Sequence, residues 1–123
     1  MTNEEVQVLV VDDVIDAAQV MAEAIAMDGY TVRVATGGEH ALKLAAERRP
    51  HCVLLDIAMP GMDGLELARR LREEFGHEIV LIAMTGWGDK SDRAAGTIQL
   101  CDHFLRKPVE LAALRKLLPR PLD

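Results

Sequence analysis

Near-continuous apolar runs recur along the chain, and longer stretches with apolar positions three and four residues apart lie between them. V-Q-V-L-V-V at 6–11, C-V-L-L-D at 52–56 and I-V-L-I-A-M at 79–84 have the pattern of strands buried on both faces of a parallel sheet. T-V-R-V-A at 31–35 alternates and predicts a shorter strand with one polar face. Residues 102–105 predict a short fifth strand. A first helix is predicted over 14–28, with Asp16, Gln19 and Glu23 on one polar stripe and Asp28-Gly29 at its end. Further helices are predicted over 39–48, stopped by Pro50, and over 64–75, with Leu65, Leu67, Ala68 and Leu71 inward and Gly76 closing it. A looser helix spans about 89–100, and a last one 109–118 with Leu111, Leu114, Leu117 and Leu118 on its apolar side. Met59 to Gly64 reads as a loop in which Asp63 can cap the following helix.

Five strands alternating with five helices predict an α/β fold, a doubly wound five-stranded parallel sheet covered on both faces. The length of 123 residues suits a single domain over 1–123, with its core at about 6–118. The net charge of −6 argues against direct binding of nucleic acid. Tyr30, Phe75, Trp87 and Phe104 are too few for a base-stacking platform. Cys52 and Cys101 have no metal-ligand spacing and read as small buried hydrophobes in a reducing compartment. His40, His51, His77 and His103 share no ligand spacing either and read as surface histidines. A polar start and the lack of a membrane-length apolar run lead us to expect a cytoplasmic chain without membrane insertion.

In doubly wound sheets, ligands bind beyond the carboxyl ends of the strands. Asp12 and Asp13 follow strand one, Asp56 ends strand three, Thr85 follows strand four, and Lys107-Pro108 follows strand five. Strand two brings only Thr36 and glycines, which fits an edge strand away from the site. Each residue alone has an ordinary reading: Asp12-Asp13 as a helix cap and its neighbour, Asp56 as a turn cap, Lys107 as solvated surface. Together they form a chemistry. Clustered carboxylates demand a cation, and all-oxygen ligands suit a hard ion such as Mg2+. An amine and a hydroxyl beside them can stabilise a transferring phosphoryl group. Asp56 is the candidate nucleophile, able to become an aspartyl phosphate.

Val10-Val11-Asp12-Asp13, the stretch Leu54 to Gly64, Met84-Thr85-Gly86 and Lys107-Pro108-Val109 stand in the order and spacing of a known family. Over about 6–118 the chain resembles a receiver domain of two-component response regulators, stand-alone or of the kind attached to hybrid kinases. The resemblance implies the flavodoxin-like strand order 2-1-3-4-5. It implies that Asp56 is the phosphoacceptor and that Asp13, Asp56 and the Ala58 backbone carbonyl bind Mg2+ directly, with Asp12 acting through water. Thr85 and Lys107 would grip the phosphoryl oxygens, and the Lys107-Pro108 peptide would be cis. A sensor histidine kinase or a histidine phosphotransfer protein would supply the phosphoryl group. Thr85 and Phe104 would form the switch, acting on an unnamed downstream protein through the face of helix four, strand five and helix five.

Several residues depart from the family pattern. Phe104 has no hydroxyl where many relatives carry tyrosine. Ala58 and Trp87 occupy the positions that flank the phosphoryl group. Gly96 falls inside helix four, where many relatives have a glycine at the position of Leu100; this predicts a short, frayed or shifted helix. Two other function classes compete with the switch. One is a hydrolase working through an aspartyl phosphate, whose usual D-x-D pattern differs from Asp12-Asp13-Val14-Ile15-Asp16. The other is a receiver-like interaction module that takes no phosphate, against which Asp56, Thr85 and Lys107 argue.

Overall fold

The structure, a computed structural model, describes residues 6–57, 64–86 and 92–120. Its strands are β1 (Gln7–Val11), β2 (Thr31–Ala35), β3 (Cys52–Asp56), β4 (Val80–Thr85) and β5 (His103–Arg106). Its helices are α1 (Ile15–Met27), α2 (Gly38–Glu47), α3 (Gly64–Phe75), α4 (Asp92–Leu100) and α5 (Leu111–Leu117). The strands pair in parallel in the order β2-β1-β3-β4-β5. β2 is thus one edge and β3 the centre, with Asp56 as the last residue of the central strand.

Element types agree with the sequence pattern, and the differences lie at the ends. β4 and β5 each run one residue later than the hydropathy suggests, because ladder bonds extend to Thr85 and Arg106. A single 3-10 turn, Gly76–Glu78, links α3 to β4, with Gly76 in the left-handed region at φ 60°. Asp63, the expected cap of α3, lies outside the described residues.

The two faces of the sheet bury different sets. Val8, Val10, Cys52, Leu54, Ile82 and Met84 point to the face covered by α1 and α5, where they meet Ala18, Ile25 and Leu114. Leu9, Val11, Val53, Leu55 and Leu81 point to the other face, against Ala41 and Ala45 of α2 and Leu67, Ala68 and Leu71 of α3. Ile57 and Ala83 pack on Ala94 of α4. Truncating a buried leucine such as Leu54 to alanine would cost about 2–5 kcal/mol, because transfer and cavity costs add. No described helix is long and apolar enough to cross a membrane.

The polar positions of β2 do not form the water-facing side that its alternation suggests. Arg33 is half-buried and donates to the carbonyls of Leu44 (2.7 Å) and Arg48 (2.7 Å), satisfying the carboxyl end of α2. Cys52 is buried as expected, whereas Cys101 is only partly so. All four histidines are exposed, yet the Nδ1 atoms of His51 and His40 accept the backbone N–H groups of Gln7 (2.9 Å) and Thr36 (3.2 Å).

The described part of α4, Asp92–Leu100, runs unbroken through Gly96, and residues 89–91 of the expected helix lie outside the described residues. A Cβ at Gly96 would lie 3.2 Å from a methyl of Leu65, so this glycine lets α4 lie close on α3. Arg72 of α3 joins the same region. Its guanidinium donates to the carbonyls of Leu100 (2.9 Å), Gly76 (2.7 Å) and Ile79 (3.0 Å) and to the Asp102 carboxylate (2.7 Å). Asp102 also accepts the Leu81 N–H at 2.8 Å. One ion pair therefore ties α3, the end of α4 and the start of β4.

Burial alone would raise the Asp102 carboxyl; the Leu81 N–H, the Arg72 hydrogen bond and charge, and His103 outweigh it and hold it below its ordinary value. A depressed acid stabilises the fold above its unfolded value of about 3.9 and loses that contribution as pH falls through the lower folded value. Asp102→Asn is expected to lower the urea midpoint at neutral pH and to flatten the loss of stability below about pH 4. Urea titrations from pH 2 to 7 on both proteins check this, and parallel pH profiles would contradict it.

Candidate functional site

Backbone ladders, continued just past the strand ends, carry the functional side chains to one edge of the sheet. The Asp12 N–H donates to the Ala35 carbonyl (3.1 Å), extending β1 by a residue. The Ile57 N–H donates to Met84 (3.1 Å), fixing β3 beyond Asp56. The Lys107 N–H donates to Thr85 (2.8 Å), joining the ends of β5 and β4. The Lys107–Pro108 peptide is cis.

Asp12 and Asp56 are buried, Asp56 with 6% of its surface exposed, while Asp13 is exposed. Carboxylate oxygens of Asp12, Asp13 and Asp56 all lie within 4.8 Å of one another. Lys107 Nζ lies 3.0 Å from Asp56 Oδ2 and 3.6 Å from Asp12 Oδ2. Burial alone would lower the Lys107 amine, but the hydrogen bond and charge of Asp56, and then those of Asp12, outweigh it and raise it above its ordinary value. The amine therefore stays charged at neutral pH and offsets part of the repulsion among the acids.

Asp12 works on both sides. Its Oδ1 accepts the Val14 N–H at 3.0 Å, turning the chain into α1, whose own N-cap makes no side-chain bond. Its Oδ2 faces Lys107. Asp12 is thus not the N-cap of α1, which is Val14, but makes the turn that leads into it while facing the Lys107 amine. Thr85 is buried at the end of β4, and its hydroxyl donates to the Gly86 carbonyl at 3.3 Å. Phe104 lies on β5 opposite Ala83 and is 49% exposed. Ala58 and Trp87 lie outside the described residues.

The donor set suits a hard divalent cation: three carboxylates, all oxygen, with one oxygen of each within 4.8 Å of the others. The edge can gather negative charge, hold it against one amine and one hydroxyl, and present one buried carboxylate as a nucleophile.

The comparisons with known proteins agree with this geometry. The family model described as "Response regulator receiver domain" matches residues 8–119. The response regulator MprA of Mycobacterium sp. (strain KMS) is 38% identical over 119 residues, covering 94% of this chain and 51% of that protein. This chain thus spans about half the length of the curated relatives that it matches. The structure of a response regulator receiver domain protein from Clostridium thermocellum superposes with a TM-score of 0.82 at 25% identity, covering 91% of this chain and 90% of that one. A response regulator receiver protein from Pseudomonas putida gives a TM-score of 0.80 at 29% identity, covering 91% and 93%. The chain belongs to the response regulator receiver domain family, which are phosphorylation-based signalling switches.

Sequence reasoning assigned no role to Gly64. A Cβ there would lie 2.8 Å from Ile57 Cα and 3.0 Å from the Asp56 carbonyl, so only glycine lets α3 begin against the backbone that carries Asp56. A lone glycine at a helix start carries no signal of this in one sequence. Gly64→Ala is expected to destabilise the domain by about 1–3 kcal/mol through overpacking. It should also shift the backbone amide resonances of Leu55 to Ile57. Thermal denaturation and amide NMR spectra check both, and an unperturbed Asp56 amide would contradict the steric reading.

Proposed function

We propose that this domain accepts a phosphoryl group on Asp56 from a phosphohistidine and reports it through the face of α4, β5 and α5. The observation that carries the reading is the amine of Lys107 standing 3.0 Å from the Asp56 carboxylate, beside the Asp12 and Asp13 carboxylates on one sheet edge. The donor is a sensor histidine kinase or a histidine phosphotransfer protein, and the reaction takes place in the cytoplasm.

Asp12, Asp13 and Asp56, with the Ala58 carbonyl, would hold Mg2+. When bound, the ion neutralises carboxylate charge and polarises the phosphoryl oxygens. The Asp56 carboxylate oxygen attacks phosphorus, the P–N bond of the donor breaks, and the imidazole leaves with its electron pair and takes up a proton. Lys107 keeps its charge through the step. It exchanges part of its pairing with Asp56 for a phosphoryl oxygen, which carries more negative charge than the carboxylate did. Hydrolysis of the acyl phosphate by water resets the domain.

Among the described residues, the Thr85 hydroxyl has one bond to surrender, its long and weak 3.3 Å donation to the Gly86 carbonyl. Bonding a phosphoryl oxygen instead draws the end of β4 toward Asp56. Because the Lys107 N–H is bonded to the Thr85 carbonyl, the end of β5 moves with it. The exposed ring of Phe104 then turns toward the space that Thr85 leaves. It fills that space by packing alone, having no hydroxyl.

Incubation with a small phosphodonor and Mg2+ is expected to add one phosphoryl group to the wild type and none to Asp56→Asn. Chelation should abolish the gain, and Lys107→Met should cut its rate by at least about tenfold. Intact-mass spectrometry reads each outcome. No phosphoryl gain on the wild type would leave an interaction module without phosphotransfer, equal labelling of wild type and Asp56→Asn would place the acceptor elsewhere, and turnover of a generic phosphate ester would favour the hydrolase.

Structures with and without beryllofluoride and Mg2+ are expected to show Thr85 Oγ1 exchange Gly86 for the fluoride and Phe104 become buried. Thr85 and Phe104 unmoved in both states would remove the proposed switch.

A further inference from the structure

We propose that a small oxyanion, a phosphate or carboxylate group, binds in the cavity between the end of α1, the start of β2 and the end of α5. The cavity has a volume of about 240 Å³ and is lined by Asp28, Tyr30, Arg115 and Arg120. That is room for one such group and a few waters. Asp28 is the C-cap of α1, Tyr30 directly precedes β2, and Arg115 lies in the last turn of α5. These positions belong to the amino ends of the parallel strands, opposite the edge that carries Asp56.

Tyr30 is the residue that asks for a ligand. It is 7% exposed and belongs to the core cluster of Val8, Ile25 and Leu118. Among the described residues its hydroxyl has no hydrogen-bond partner. The ring alone would serve the core, and a hydroxyl held this deep is costly unless something accepts its proton. Burial raises the phenol above its ordinary value despite the opposing charge of Arg120, and Asp28 adds to the rise. The O–H therefore stays a donor at neutral pH, beside the Arg120 charge.

The neighbouring charges choose the sign of the occupant. Arg115 donates through Nε and Nη2 to Asp28, at 2.8 and 3.3 Å. Among the described residues, its Nη1 group and the guanidinium of Arg120 have no hydrogen bond or ion pair. Two guanidiniums against one carboxylate leave one positive charge here, on a chain whose net charge is −6. A guanidinium fork matches the oxygens of a carboxylate or phosphate, and the phenol adds a further donor. A cation would meet two like charges. Asp28 repels an anion, so the group is expected on the Arg120 side of the cavity, within reach of the Tyr30 hydroxyl.

Anion titrations followed by NMR test the proposal. Tyr30 is the one tyrosine of the chain, so an isotopic label at its Cζ gives a single signal from the cavity. The wild type is titrated without Mg2+, at constant ionic strength, with inorganic phosphate, acetate or chloride. A saturable shift with phosphate, acetate or both is expected, and none with chloride; the anion that saturates names the source. Its addition should also raise the thermal midpoint, as binding to the folded state requires. Tyr30→Phe keeps the ring and, followed at the Gly29 and Thr31 amides, should weaken binding by at least about tenfold. Arg120→Gln, at an exposed position, should abolish saturation and the rise in midpoint while leaving the anion-free midpoint unchanged. Shifts that stay linear to about 100 mM, or that chloride reproduces, would reduce the effect to screening and overturn the proposal. Saturation that either variant leaves unaltered would overturn it too.

Discussion

Negative charge gathered where there is little water to screen it is the condition around which this domain is organised. Three carboxylates with oxygens within 4.8 Å of one another raise each other's energy, and two of them are buried. Lys107 offsets part of this at 3.0 and 3.6 Å, and one amine cannot balance three acids. The imbalance is what suits the edge to a cation. The parallel sheet maintains it, because residues from β1, β3, β4 and β5 are held at one edge by ladder bonds that leave them no room to separate.

Local devices serve the same end. Asp12 turns the chain into α1 with one oxygen and faces Lys107 with the other, so the start of the helix and the electrostatics of the site depend on one side chain. Gly64 lets α3 begin against the backbone of Asp56 and Ile57. The central strand thus ends in a carboxylate whose backbone is bonded to β4 on one side and packed by α3 on the other.

Most of the architecture was legible in the hydropathy of the chain, because strands buried on both faces leave apolar runs and the helices between them leave a 3.6-residue period. Asp12, Asp56, Thr85 and Lys107 were legible for a topological reason: they follow four strands whose carboxyl ends must lie together. What escaped was contact-level. The alternation of β2 suggested a wet face, but Arg33 folds over the end of α2. Arg72 and Asp102 are 30 residues apart and look like ordinary surface charges. Gly96 signals a weak helix in sequence, and only its contact with Leu65 explains it.

Helix α4 is tied along its described length. Ala94 packs on Ile57 and Ala83, Gly96 rests on Leu65 at the middle, and Arg72 holds the Leu100 carbonyl at the end. Ile57 directly follows Asp56, so a displacement of the backbone at the acidic edge reaches α4 through one apolar contact, as pressure on a packed methyl group and with no polar relay in between.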